Sequence, residues 1–391
     1  MPESSVKSLD VPVQTAKLQG NLPFLDLKAQ FATIRDEILS AVTGVLDSQH
    51  FILGPEVEAF EREVSAYTGA RFAIGCASGS DALLLALLAL EVAPGNEIIT
   101  TPFTFVATAG AIARIGAKPV FVDIEPATFN IDPALIGNAV TPRTRAILPV
   151  HLFGLAADMD TILKVAAKRE LPVIEDAAQS IGARYHGETV GNLGAMGCFS
   201  FFPSKNLGGA GDGGMITTND QKLAERLRLL RVHGSRKKYQ YEIVGINSRL
   251  DALQSAILRV KLRYLEAWAE GRRRNADRYR AFFAELALTE RVTLPQVPAK
   301  QSHVYNQFVI RVAERDALRA FLKERGIPTE VYYPSPLHLE RAYQYLGHKA
   351  GAFPVAEAAS KQVIALPIYP ELQEDQQASI VSTIAEFYRT R

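Results

Sequence analysis

Cysteine is scarce: only Cys76 and Cys198 occur in 391 residues. They stand far apart, with no CxxC spacing and no Cys/His cluster, so a disulfide framework and a zinc site are both excluded and the pair reads as buried thiols. A surplus of one charge is missing too. Lys plus Arg number 43 against 42 Asp plus Glu, a formal net charge of +1, which offers no broad basic field to nucleic acid or an anionic membrane. Any phosphate the chain binds must be gripped locally. The longest purely apolar run is Ala82 to Leu90, about half of the roughly 18 residues needed to cross a bilayer, so a soluble protein is expected. The opening MPESSVKSLDVPVQTAKLQG has no apolar core that could serve secretion; residues 1–20 read as a loose leader and the address as cytoplasmic. No GKS or GKT follows a glycine loop, the seven histidines form no HxxxH pair, and no repeat of 20 to 50 residues or low-complexity tract is found. No metal is expected.

What is present is an apolar, ordered chain. Its length exceeds one ordinary core, and 48% hydrophobic against 22% charged residues suits a large domain with a smaller companion. From about residue 70, short β-branched and aromatic runs alternate with helical spacing. Strands are predicted at Phe72 to Cys76, Glu97 to Thr101, Pro119 to Asp123, Ala146 to Val150, Pro172 to Glu175, Cys198 to Phe202 and Met215 to Thr218. Helices are predicted at Ser80 to Leu90, Val106 to Ile115, Met159 to Lys168 and Gln221 to Val232. Runs this apolar belong in an α/β fold, in a mainly parallel sheet of seven strands covered by helices on both faces. Leu250 to Arg280 reads as one long connecting helix. Beyond it a strand at His303 to Val312 and helices at Arg315 to Arg325 and Asp375 to Tyr388 suit a small α+β domain. The division expected is 21–265 for the large domain and 266–391 for the connecting helix and small domain.

In an open parallel sheet, ligands sit beyond the C-terminal strand ends. After the first strand comes Ala77-Ser78-Gly79-Ser80-Asp81-Ala82, a small-residue turn opening a helix. Its free N–H groups and positive dipole end suit an anion, although Ser78 or Ser80 could simply cap the helix. Asp176 closes an apolar strand, where a carboxylate is costly unless a cation meets it, be that a structural Arg or a ligand. Lys205 follows an aromatic strand inside a Pro-Ser-Gly turn; most lysines are solvated, but one placed there can lose its proton and become an amine nucleophile. A pyridoxal phosphate enzyme needs a Lys for the Schiff base, an Asp for the pyridine nitrogen and a helix start for the phosphate. Ser80, Asp176 and Lys205 supply these in chain order. The glycine run Gly208 to Gly214 precedes a strand rather than opening a helix, so it is not read as a dinucleotide loop.

Taken together, Phe24-Leu25-Asp26-Leu27, Phe51 to Val57, the SGSDAL turn, Pro102 to Val106, Glu175 to Gln179, Ser200 to Lys205, Gly211 to Gly214 and Gly245 to Asp251 are eight ordered motifs. The chain resembles the sugar-nucleotide aminotransferases of the DegT/StrS family, pyridoxal phosphate enzymes of fold type I, over roughly residues 22 to 370. The resemblance implies that Lys205 forms the Schiff base and shuttles the proton, that Asp176 pairs with the pyridinium nitrogen, that Gln179 lies near the ring hydroxyl and that Phe105 stacks on the ring. Gly79, Ser80 and Ser200 would hold the phosphate, with Asn247 supplied by a second subunit, so a homodimer with shared sites is implied. Ser80 stands where the family more often has Thr; the hydroxyl is kept. Core packing remains the alternative for Phe105, and a helix cap for Asn247.

The implied reaction moves an amino group from glutamate, through the pyridoxamine phosphate form, to a keto sugar carried on a nucleoside diphosphate. Lys237, Lys238 and Arg249 are candidates for the diphosphate, and Tyr239, Tyr332 and Tyr333 for sugar or base. His338 is carried as a cleft candidate, with structural roles the alternative for it and for His186 and His233. Gly234 to Tyr239, followed by Gly245 to Asp251, looks more like members acting at C3 of the sugar than at C4. The nucleotide, dTDP or UDP, stays open. The products implied are amino sugars for surface polysaccharide such as lipopolysaccharide O-antigen. A sugar dehydratase of the same fold has His where this chain has Lys205, and a non-catalytic regulator has no need for the whole Lys, Asp and Gln set. A nicotinamide oxidoreductase would need a glycine turn after the first strand with an acid about 20 residues on, and neither is present.

Overall fold

In the computed structural model, which describes residues 22–390, all seven apolar runs are strands of one continuous sheet. They are β1 (Phe72–Cys76), β2 (Glu97–Thr100), β3 (Lys118–Phe121), β4 (Thr144–Ile147), β5 (Ile174–Asp176), β6 (Met196–Ser200) and β7 (Gly214–Thr218). The spatial order is β1-β7-β6-β5-β4-β2-β3, the two halves being joined by parallel bridges Ile147↔Val173 and Val150↔Asp176. Strand β7 runs antiparallel to both β1 and β6, while every other neighbouring pair is parallel. Six C-terminal strand ends therefore share one rim. The leader expected over residues 1–20 lies outside the described residues.

Helices α1 (Leu27–Ser48) and α2 (Pro55–Thr68) precede the sheet. Helices α3 (Gly79–Ala89), α4 (Ala107–Arg114), α5 (Pro133–Ala139), α6 (Met159–Lys168) and α7 (Gln221–Leu230) follow, within or just after it. One core layer, with Ile74, Leu85, Ile98, Cys198 and Ile216, lies under α3 and α7; another, with Ile99, Ile147, Ile162 and Phe199, covers the opposite face. Burial on both faces explains the near-continuous apolar strands. Cys76 and Cys198 are both buried and free.

The long helix expected over Leu250 to Arg280 is two: α8 (Ala252–Leu262) and α9 (Leu265–Glu285). The break falls at Arg263 and Tyr264, whose N–H groups donate to carbonyls three residues back, Val260 and Lys261, and whose side chains both reach Glu37 on α1. That tertiary attachment tightens the turn although neither Gly nor Pro is present. Beyond it, β8 (Val292–Thr293), β9 (Phe308–Val312) and β10 (Val363–Leu366) form an antiparallel sheet in the order β8-β9-β10, packed by α10 (Arg315–Glu324), α11 (Pro354–Gln362) and α12 (Glu374–Arg389). The His303 to Val312 strand is thus shorter than expected. Two devices join this body to the large sheet: an apolar cluster containing Phe103, Phe121, Val309 and Val363, and Asp123 beyond β3, whose carboxylate accepts the N–H groups of Val355 and Ala356 at 2.9 Å and so caps α11.

Candidate active site

The shared rim opens into a cavity of roughly 470 Å³, ample for a cofactor-sized ligand with room for a second reactant. Each wall is set by a strand end. After β1 the chain turns at Ser78, whose Oγ caps α3 by accepting Asp81 N–H at 3.1 Å, leaving the first N–H groups of the helix without carbonyl partners of their own. Gly79 is required sterically: a Cβ there would sit 2.5 Å from Ser200 Cβ. The α3 start and Ser200 at the end of β6 therefore make a single backbone-lined cradle with Ser80 at its lip.

Asp176 ends β5, buried at 4% exposure. Its Oδ2 accepts the Thr108 hydroxyl at 2.7 Å and its Oδ1 the N–H of Ala178 at 3.2 Å. Burial raises its carboxyl above the usual range, opposed by those two hydrogen bonds and by the charge of Lys205. Thr108 stands 3.1 Å from Thr104; because its single hydrogen goes to Asp176, it accepts from Thr104, giving a relay Thr104 to Thr108 to Asp176.

Lys205 is half-buried in the turn after β6, with its pKa lowered to about 8 by desolvation and only partly restored by Asp176. The turn is tied down on every side. Lys205 N–H donates to Phe202 O at 2.8 Å and Gly209 N–H to Phe201 O at 2.8 Å. Asn206 Nδ2 donates to Val304 O at 2.8 Å, and Lys261 Nζ to Gly208 O at 2.7 Å. A fixed lysine that gives up its proton more readily than a solvated one, facing a fixed buried carboxylate, suits imine chemistry on a ligand that also carries a cationic nitrogen.

Phe105 is 56% exposed and lines the cavity, which removes core packing as its role; its ring lies 6.5 Å from that of Tyr333. Gln179 is engaged at both ends: Oε1 accepts Phe153 N–H at 2.7 Å and Nε2 donates to the Tyr333 hydroxyl at 3.2 Å. Tyr333, having accepted, has its own hydrogen to donate into the cavity. Tyr332 lines the same wall. Seven of the eight expected cofactor residues, Gly79, Ser80, Phe105, Asp176, Gln179, Ser200 and Lys205, thus meet in one cavity.

The others do not join them. Asn247, Lys237 and Tyr239 are exposed and Arg249 half-buried, all outside this chain's cavity, with Lys237 and Tyr239 on a small hairpin pairing Ser235–Lys237 with Gln240–Tyr241. Placement of His338 in the cleft is corrected: it is 1% exposed, shares a hydrogen bond of 3.0 Å with Glu357 and packs on Phe353 with ring centroids 4.7 Å apart. Sequence reasoning missed Thr108, Ser204, Asp212 and Gln307, all cavity residues. For Thr108 a signal existed, since it lies in the first turn of α4, directly after the strand-end motif Pro102 to Val106.

The rim, the helix-start cradle and the facing Lys–Asp pair define an enzyme that holds a phosphate-bearing cofactor through an amine. A model of the DegT/DnrJ/EryC1/StrS aminotransferase family matches residues 32–385, and the chain belongs to that family. It is 53% identical over 369 residues to the pleiotropic regulatory protein of Geobacillus stearothermophilus, covering 94% of this chain and 99% of that one. With the UDP-N-acetyl-3-dehydro-alpha-D-glucosamine 3-aminotransferase of Acidithiobacillus ferrooxidans it shares 48% identity over 364 residues, 93% of this chain and 97% of the other. Among solved structures, DesV of S. venezuelae, in complex with a ketimine intermediate, matches with a TM-score of 0.91 at 44% identity, over 94% of this chain and 98% of that one.

Proposed function

We propose that the chain is a pyridoxal phosphate-dependent transaminase that moves the amino group of glutamate to the 3-keto position of a UDP- or dTDP-linked sugar. The observation that carries the reading is the single cavity in which Lys205, its pKa lowered to about 8, faces the buried Asp176 beside the start of α3. The residues present fit the cofactor: a glycine whose missing Cβ makes room at the phosphate end, a carboxylate for the ring nitrogen and an amine for the aldehyde carbon.

When bound, pyridoxal phosphate supplies an electron sink for the carbon that loses a proton. Gly79, Ser80 and Ser200 would hold the phosphate at the helix start, Asp176 would keep the ring nitrogen protonated, and Phe105 would stack on the ring. Gln179 acts beside the ring hydroxyl and orients Tyr333, which donates its hydrogen to a ligand oxygen. Lys205 Nζ would take the proton from glutamate Cα in the first half-reaction, in which one water releases 2-oxoglutarate and the cofactor keeps the amino group, and would give a proton to sugar C3 in the second. Lowering its pKa towards neutrality is what a base that must also act as an acid requires.

Among the described residues lining one chain's cavity Lys205 is the sole basic side chain, which leaves a diphosphate or a carboxylate to be met from elsewhere. We assign that task to Lys237, Lys238 and Arg249 of a second copy in a homodimer, whose Asn247 would join the cofactor phosphate, with Tyr239, Tyr332 and Tyr333 reading the sugar or base. Residues 21–265 would form the cofactor body and 266–391 the connecting helix and cap. The location is proposed as cytoplasmic, since no helix among the described residues is long and apolar enough to cross a membrane, and the product as an amino sugar for surface polysaccharide such as O-antigen.

Absorbance tests the reading. Protein loaded with pyridoxal phosphate should lose its visible band on adding glutamate and regain it with a 3-keto UDP- or dTDP-sugar, while Lys205→Ala should do neither. A bound cofactor that ignores every amino donor would favour a regulator, the description carried by the Geobacillus relative. Turnover by Lys205→Ala at the wild-type rate would refute the mechanism.

A further inference from the structure

Directly behind the cavity wall lies a buried ionisable pair that takes no part in the mechanism above. Glu175 and His151, each fully buried, lie behind the residues that line the cavity. Glu175 immediately precedes Asp176, and His151 immediately follows Val150, itself a cavity residue. Alternation along β5 points the Glu175 side chain to the face opposite Asp176. There its Oε2 accepts the N–H of Gly191 at 2.7 Å and meets His151 Nε2 at 2.9 Å, while Oε1 accepts the N–H groups of Leu193 at 2.8 Å and Gly194 at 2.7 Å.

The protonation pattern follows from the partners. His151 Nδ1 accepts the N–H of Ala157 at 3.0 Å, so that nitrogen carries no proton and the ring hydrogen sits on Nε2, directed at Glu175. Glu175 thus receives four donors on two oxygens and acts purely as an acceptor. The main chain of the same residues completes the lock, for Asp176 N–H donates to Pro149 O at 2.9 Å and His151 N–H to Asp176 O at 3.0 Å. The ends of β4 and β5 and the 191–194 loop leading into β6 are bound to one carboxylate.

We infer that Glu175 and His151 are positioning residues: from the far side of the sheet they fix the Asp176 backbone, and with it the carboxylate that would hold the cofactor's ring nitrogen. The inference rests on the cofactor reading above. Glu175→Gln turns one acceptor oxygen into an NH₂ facing N–H donors, and His151→Leu removes the ring's donor and acceptor together. His151→Gln restores one of each.

The experiment uses full-length protein, with pyridoxal phosphate affinity measured by equilibrium dialysis, the position of its visible band when bound, and the melting temperature of the cofactor-free protein. Glu175→Gln and His151→Leu should each weaken the affinity by about tenfold, the cost of one unpaired buried group, and shift the band, with His151→Gln recovering most of both. Wild-type affinity and band in both variants would overturn the inference. So would loss of the cofactor-free fold in all three variants, or a loss of affinity that merely follows the melting temperature with an unmoved band, since either makes the pair purely structural. Failure of the wild-type protein to bind pyridoxal phosphate at all would instead overturn the cofactor reading.

Discussion

Thr108→Val replaces a hydroxyl by a methyl of similar size and leaves Asp176 Oδ2 without its 2.7 Å partner. Both residues are buried, so water is poorly placed to substitute. A hydrogen bond to a charged group contributes about 1.5–3 kcal/mol, which corresponds to roughly tenfold to hundredfold if Asp176 meets its cationic partner only as the anion. The sign follows from the forces on Asp176. Burial pushes its carboxyl upward while Thr108 and Ala178 hold it down, so loss of Thr108 lets it rise further. Function that needs the anion is lost as pH falls through that value; the acid limb of kcat/KM should therefore move to higher pH in the valine variant, and cofactor release on acidification should begin earlier. Thr108→Ser keeps the hydroxyl and should behave as wild type. Thr104→Val removes only the outer link of the relay and should give the same shift on a smaller scale. An acid limb in Thr108→Val that superposes on the wild-type and serine curves would refute the argument that Asp176 must be charged.

Lys205 carries a second pH signature. Its folded pKa is lowered to about 8 from 10.5, so between these values the unfolded chain binds the proton that the cofactor-free fold does not, and stability contributed by this group rises with pH. Urea melts of cofactor-free protein above pH 8 should show less of that rise in Lys205→Met than in wild type. Lys261, also lowered to about 8, contributes with the same sign and remains in both; identical slopes would refute the desolvation of Lys205. Gly79→Ala places a Cβ 2.5 Å from Ser200 Cβ, so the cradle must open, and affinity for pyridoxal phosphate should drop well below that of Ser80→Ala; a binding titration showing equal affinity for the two would contradict the cradle.

How far the sequence could be read depended on how local each cause is. The sheet was legible because strands buried on both faces are apolar throughout, and every one of the seven begins within two residues and ends within three of its run. Helix α6 matches its predicted span, Met159–Lys168, with Asp158 capping it through Thr161 N–H at 3.3 Å. Asp176 and Lys205 were legible because a charge at the end of an apolar run needs an explanation. Helix α1 was not: of its 22 residues only Gln30, Ile34, Ile38 and Val45 are buried, too thin a stripe to stand out. The break at Arg263 and the burial of His338 escaped for another reason, since both are decided by partners far away in sequence, Glu37 on α1 and Glu357 on α11 with its neighbour Phe353. Gln307 comes from beyond the connecting helices, on a segment whose N–H donates to Phe153 O, and nothing in its neighbourhood advertises a cavity.

Strand β7 has a consequence for how the molecule comes into being. Gly214 pairs with Cys76 on one side and with Ser200 on the other, and a Cβ there would strike Ser78 O. The two halves of the proposed phosphate cradle, distant in the chain, are therefore bridged by a reversed strand made after both. On a ribosome, a nascent chain that has emerged as far as Lys205 already contains the amine and the carboxylate, yet has nothing to hold the cradle shut. A slip of one residue as residues 214–218 insert between their neighbours would turn its side chains to the wrong face and misalign the cradle. The register of this strand, the last of the large sheet to be made, thereby sets the alignment of the cradle.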